Sequence, residues 1–291
     1  MQEITLEELL EAGCHFGHQV TRGNPKARDY IFEARDNIHI IDLEKTKKGL
    51  EEAGRLIYEL SKRNGSLLVL GTKRQAQGIV EEEIKRAKQQ VSSKITNRIF
   101  YVTNRWIGGT FTNFSEVAKN FKKLKDLTQK LSDEEEKAKY TKKEVGLWQK
   151  ERQKLELLYG GIADLDKIPD AIYIIDSHLE NLAVLEARKM GVTTLGITDT
   201  NADPEIIDYP IPANDDATGS IKIITKYIID AWIEGRQDSV KSEKIKVKNG
   251  KGGSESQSSK DSKINPTSRK ASRGKGKEAS GKGKTRTSKK T

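Results

Sequence analysis

Apolar residues along the chain fall into short unbroken blocks separated by longer stretches in which they recur with helical spacing. Ser66-Leu-Leu-Val-Leu70, Ala171-Ile-Tyr-Ile-Ile175 and Val192-Thr-Thr-Leu-Gly-Ile197 are blocks of the kind a strand carries when both its faces are covered, as in a parallel sheet. Ile38–Ile41 and Arg98–Val102 add two more short strands. Between them lie helices over 43–63, 74–90, 179–190 and 217–234. A shorter one spans 6–12, with Thr5 and Glu8 placed as a capping box and Gly13 as its stop. Strands alternating with helices predict a doubly wound α/β body.

One stretch departs from that rhythm. Val117, Phe121, Leu124 and Leu131 follow a three-four spacing broken by Thr128; Val145, Trp148, Leu155 and Tyr159 repeat it with Arg152 as the break. Two such seams on either side of a Glu-rich turn predict an antiparallel helical hairpin over 113–158, inserted between body segments 1–112 and 159–236. From 237 to 291 Lys, Ser and Gly predominate with few large apolar side chains, which predicts a disordered basic tail able to bind polyanions without sequence preference.

The 291 residues suffice for a sizeable core, and no apolar run approaches the length of a membrane span. A lone cysteine, Cys14, excludes an internal disulfide framework. With an acidic N-terminal helix in place of a basic leader, this fits a cytoplasmic protein. The net charge of +10 is unevenly spread: +7 over 1–155, −10 over 156–240 and +13 over 241–291. A polyanion would therefore be met on one side only.

Three places carry candidate chemistry. Tyr101–Phe114 offers Asn104, Arg105, Trp106, Gly108, Gly109, Thr112 and Asn113, short polar groups, a planar cation and a flat ring around a close-approach backbone, which suits RNA phosphates and sugars. It reads equally as a Gly-Gly turn with a buried Trp and a helix cap at Thr112 or Asn113. Lys119, Lys122 and Lys123 at the root of the hairpin, and the loop of Arg22, Asn24, Lys26 and Arg28, extend the same candidate surface.

Gly71-Thr72-Lys73-Arg74 puts a Gly turn and two cations at a helix start suited to an anion, either an RNA phosphate or a nucleotide. A complete phosphate loop is absent, so a nucleotide-binding α/β enzyme stands only as the alternative. Finally, Asp176, Asp199, Asp203, Asp215 and Asp216 fall at strand ends, where they could gather with His15 or His18 around a divalent ion. Helix capping by Asp215 and a turn at Asp203-Pro204 account for the same residues.

Over residues 4–236 the ordered motifs resemble a known family, the bacterial-type second protein of the small ribosomal subunit. They are Gly13-x-His15-Phe-Gly-His18, Asn24-Pro-Lys26 with Tyr30-Ile-Phe32, Ile38-His-Ile-Ile-Asp-Leu-Glu-Lys-Thr46, Gly71-Thr-Lys73, Asn104-Arg-Trp-Ile-Gly-Gly109, Thr112-Asn-Phe114, Pro169-Asp170, Asp199-Thr-Asn201, Asp203-Pro204 and Ile211-Pro-x-Asn-Asp-Asp216. The resemblance implies a flavodoxin-like three-layer α/β/α body with a five-stranded parallel sheet and a protruding coiled-coil hairpin. It further implies a non-catalytic role, docking on ribosomal RNA in the small subunit, and contact with other small-subunit proteins, including the largest one near the messenger exit site. No cofactor is required. Zinc in some relatives points to a site of His18, Asp199 and Asp215. Where the family usually has Trp and Met, this chain has Gly23 and Ala27.

Overall fold

The computed structural model describes residues 3–91 and 98–250, with side chains described through Lys241. Helix α1 (Leu6–Glu11) opens on the expected capping box, Thr5 and Glu8 bonding each other's backbone, and ends at Gly13, whose φ of +75° favours glycine. Strands β1 (Phe16–Gln19), β2 (Ile31–Arg35) and β3 (Ile38–Ile41) then form a small antiparallel sheet in the order β1-β3-β2. Asp36 and Asn37, both at positive φ, make the tight turn between β2 and β3. Ile38–Ile41 thus belongs to this separate sheet and not to the parallel one. Its hairpin partner, Ile31–Arg35, ends in Glu-Ala-Arg, too polar to show as a strand in the apolar pattern.

Helix α2 (Leu43–Lys62), capped by Asp42, leads into β4 (Leu67–Leu70), α3 (Arg74–Gln90) and β5 (Ile99–Val102). Helices α4 (Phe114–Ser132), α5 (Glu134–Ala138) and α6 (Lys142–Tyr159) follow. The chain then returns through β6 (Ala171–Ile174), α7 (Asn181–Met190), β7 (Thr193–Thr198), β8 (Tyr209–Pro212) and α8 (Thr218–Gly250).

All neighbours in the main sheet are parallel, in the order β5-β4-β6-β7-β8. That is the flavodoxin-like order, with its switch point between β4 and β6. Its fifth strand is Tyr-Pro-Ile-Pro, a segment whose prolines argue against a central strand; β8 lies at the edge, where missing N–H groups cost little. Alternate side chains feed two cores: Leu67, Val69, Tyr173 and Leu195 pack with α1, α2, α3 and α8, and Leu68, Leu70, Ile172 and Ile174 with α4, α6 and α7. The body is three-layered α/β/α.

The helical pair α4 and α6 packs antiparallel, as Phe121 against Tyr159 and Lys130 over Trp148 show, and belongs to the same compact unit as the sheet. Its seam differs from the expected one. Leu127, three residues after Leu124, is buried instead of position 128, while Val145 and Trp148 are only half-buried. Thr128 turns its hydroxyl back to the Leu124 carbonyl. The Glu-rich segment is a further short helix capped by Asp133.

At the other end, α8 runs through to Gly250, past residue 237 where the tail was expected to begin. Gln237 to Asn249 contains no Gly or Pro, so nothing in it stops a helix. The rest of the basic tail lies outside the described residues.

Candidate nucleic-acid interface

At the carboxyl ends of β4 and β6, where open α/β sheets bind ligands, a cluster of charges is closed on itself. Lys73, the residue before α3, reaches Asp176 at 3.1 Å, Asp215 at 2.8 Å and Asp216 at 2.7 Å. His18 from β1 lies 3.1 Å from Asp199 through Nδ1 and 3.5 Å from Asp216 through Nε2. Asp199 and Asp215 are buried. Burial, with Asp176 and Asp199 nearby, pushes the Asp215 carboxyl up to about 7. The hydrogen bond with Asp199 outweighs burial and raises His18, while the bonds to Asp215 and Asp216 overcome burial and raise Lys73.

This arrangement corrects two expectations. Lys73 is not free for an RNA phosphate, because three carboxylates already neutralise it. A nucleotide at Gly71-Thr72-Lys73 would face those same carboxylates, and the Thr72 hydroxyl is bonded to Glu180. Nor does Asp215 cap the last helix: Asn214 accepts from the Asp216 and Ala217 amides, leaving Asp215 to Lys73. Asp203 caps its short turn through the Glu205 amide, as expected.

The donor atoms of His18, Asp199 and Asp215 lie within 4.8 Å of one another. Among the described residues, Asp215 Oδ2 is buried without a hydrogen-bond partner. An imidazole and two carboxylates suit a small divalent ion chemically, but in this geometry the Lys73 ammonium supplies the positive charge.

The stretch Tyr101–Phe114 is shaped from inside. Trp106 is 6% exposed and meets Phe111 edge-on at 4.9 Å, so its ring belongs to the core and cannot stack on a base. Gly109 takes φ +90°. Three backbone N–H groups of the loop are directed at the buried carboxylate of Glu186 on α7. Gly109 N donates to Oε1 at 2.7 Å, and Phe111 N at 3.0 Å and Thr112 N at 3.3 Å donate to Oε2. Glu186 was not apparent from the motifs. The signal was a carboxylate at an inward position of α7, among buried Ala183, Val184 and Ala187.

Asn104, Arg105, Gly108, Thr112 and Asn113 remain exposed. Asn113 precedes α4 without bonding it through its side chain. Among the described residues Arg22, Arg28, Arg74, Arg105 and Lys122 have no acidic partner within ion-pair distance, whereas Lys26 pairs with Asp203 and Glu205, Lys119 with Glu116 and Lys123 with Glu151. Asn24 caps its own turn at the Lys26 amide. Any side chain at Gly23 would begin 2.6 Å from His39 Nε2, so here the imidazole takes the space that a larger residue would need.

A family model described as ribosomal protein S2 matches residues 9–235. Over 235 residues the chain is 46% identical to the small ribosomal subunit protein uS2 of Lawsonia intracellularis (strain PHE/MN1-00), covering 81% of this chain and 77% of that protein.

Proposed function

The chain belongs to the ribosomal protein S2 family, and from that membership we propose that it docks on small-subunit ribosomal RNA through the exposed groups Asn104, Arg105 and Asn113, with Arg22, Arg28, Arg74 and Lys122. It is a structural constituent of the cytoplasmic small ribosomal subunit, binds ribosomal RNA and other ribosomal proteins, and is neither an enzyme nor dependent on a cofactor. Among the described residues no helix is long and apolar enough to cross a membrane. The observation that carries the RNA reading is Arg105: an exposed guanidinium without an acidic partner among the described residues, on a loop whose backbone is already fixed. Lys26, Lys119 and Lys123 join the surface where a phosphate outcompetes their carboxylate partners, of which Asp203 is half-buried and the others exposed. Gly108, Gly109 and Thr112 shape the loop and Trp106 anchors it.

Binding of the purified chain to small subunits stripped of this protein tests the reading. Affinity should fall steeply with salt, and each cation removed from the surface should lessen the slope by about one. A slope unchanged by Arg105→Ala and Arg74→Ala would remove the surface.

The strongly acidic segment 156–240 repels phosphate and is the side assigned here to protein neighbours, the largest small-subunit protein near the messenger exit site among them. The trio His18, Asp199 and Asp215 is the place assigned to zinc or another divalent ion, which would supply charge to a buried site and no chemistry. Asp215 would offer Oδ2, since its Oδ1 is bonded to the Lys73 ammonium, whose like charge opposes occupancy. Elemental analysis of protein purified without chelator should then find about one equivalent per chain, falling on Asp199→Asn; less than about half an equivalent excludes the site.

A further inference from the structure

We propose that Glu186 is the positioning residue of the RNA-docking loop: its buried carboxylate occupies the place a phosphate would take, leaving Asn104 and Arg105 to make the contact by side chain alone. The inference rests on the docking role proposed for that loop. Both oxygens of Glu186 are committed, Oε1 to the Gly109 amide and Oε2 to the amides of Phe111 and Thr112, with the Thr112 hydroxyl 3.4 Å away. Gly109, at the start of this set, takes a φ of +90° that glycine tolerates.

An RNA phosphate brought to the same amides would meet a carboxylate instead, and repulsion between two anions in a partly dry site excludes it. The loop therefore does not act as an anion cradle toward the outside. Internal bonds complete it: Thr110 N and Oγ1 both reach the Ile107 carbonyl, and Asn113 N reaches that of Gly109. The pairing of Trp106 with Phe111 closes its apolar side. One side chain on a neighbouring helix thus sets the path from which Arg105 projects, without touching the partner.

Glutamine cannot replace this carboxylate, since one of its two ends is a donor and would oppose an N–H group. In the full chain, Glu186→Gln should raise amide exchange across 107–113 at least tenfold, with exchange in β4 and β6 unchanged. Rebinding to stripped small subunits should weaken about tenfold. Arg105→Ala should cost about tenfold in the unsubstituted chain and less than twofold in the Glu186→Gln background, because a misplaced arginine has little left to lose.

Glu186→Asp retains both acceptors on a shorter arm and should show the same changes at smaller size. Equal Arg105 penalties in the two backgrounds, or unchanged exchange across 107–113, overturn the positioning role. So does faster exchange in β4 and β6 in both variants, which would make Glu186 a general stability residue. If Arg105→Ala costs nothing in the unsubstituted chain, the docking reading itself fails and this inference with it.

Discussion

A chain carrying Lys73→Met is expected to unfold about 10 °C below the unsubstituted protein. Lys73 is the shared counter-ion of Asp176, Asp215 and Asp216, and Asp215 is fully buried. Removing one partner of a buried ionic cluster leaves uncompensated charge, at a cost of about 3–5 kcal/mol. For a body of this size each kcal/mol lowers the midpoint by about 2–4 °C.

The same cluster gives stability a pH dependence of definite sign. Asp215 has its carboxyl pushed from 3.8 up to about 7 in the folded chain, so its contribution is fully present below its ordinary value and is lost as the pH rises through 7. His18, raised by Asp199, changes in the same direction. The melting temperature of the metal-free protein should accordingly fall between pH 5 and pH 8. Asp215→Asn should flatten that slope, and a Lys73→Met shift under about 2 °C would mean that the carboxylates are relieved by other means.

The second large effect separates two adjacent residues. Trp106→Ala empties a buried indole site against Phe111, and truncations of this kind cost about 3–5 kcal/mol. Arg105→Ala removes an exposed side chain that makes no ion pair among the described residues and should leave the midpoint within about 2 °C, since such surface changes stay within about 0.5 kcal/mol. Both should reduce incorporation into small subunits more than deletion of 251–291 does, but only Trp106→Ala should do so through lost folded protein. Calorimetry of the two purified variants checks the split. A large loss of stability in Arg105→Ala, or none in Trp106→Ala, would contradict it.

The body was legible because its central strands are apolar on both faces: Leu67–Leu70 and Ala171–Ile174 are fully buried and read as such from composition alone. What escaped the pattern did so for local reasons. Tyr209–Pro212 looks unlike a strand because prolines are tolerated only at a sheet edge. Phe16–Gln19 and Ile31–Arg35 form a sheet largely open to solvent, so they lack the apolar signature of the core strands. The hairpin seam moved from 128 to 127 because one heptad position does not fix a helix's rotation when Leu and Thr compete for neighbouring places.

The charged residues of these motifs find partners that their local context does not announce. A Gly turn with two cations before a helix predicts an anion, and the anions proved to be the protein's own aspartates, more than a hundred residues away along the chain. Gly108-Gly109 likewise predicts a backbone that something approaches closely, and the carboxylate of Glu186 on α7 is what bonds its amides. The motifs show which groups are polar; the fold decides which of them are already satisfied. What is left over, chiefly Arg105 with its exposed neighbours, is the surface proposed for RNA.

Sedimentation tests the central claim most directly. A tagged chain produced in cells is expected to travel with the small-subunit fraction at moderate salt and to leave it as salt is raised, with Arg105→Ala leaving at lower salt than the unsubstituted chain. A folded chain that stays at the top of the gradient at moderate salt would contradict the account.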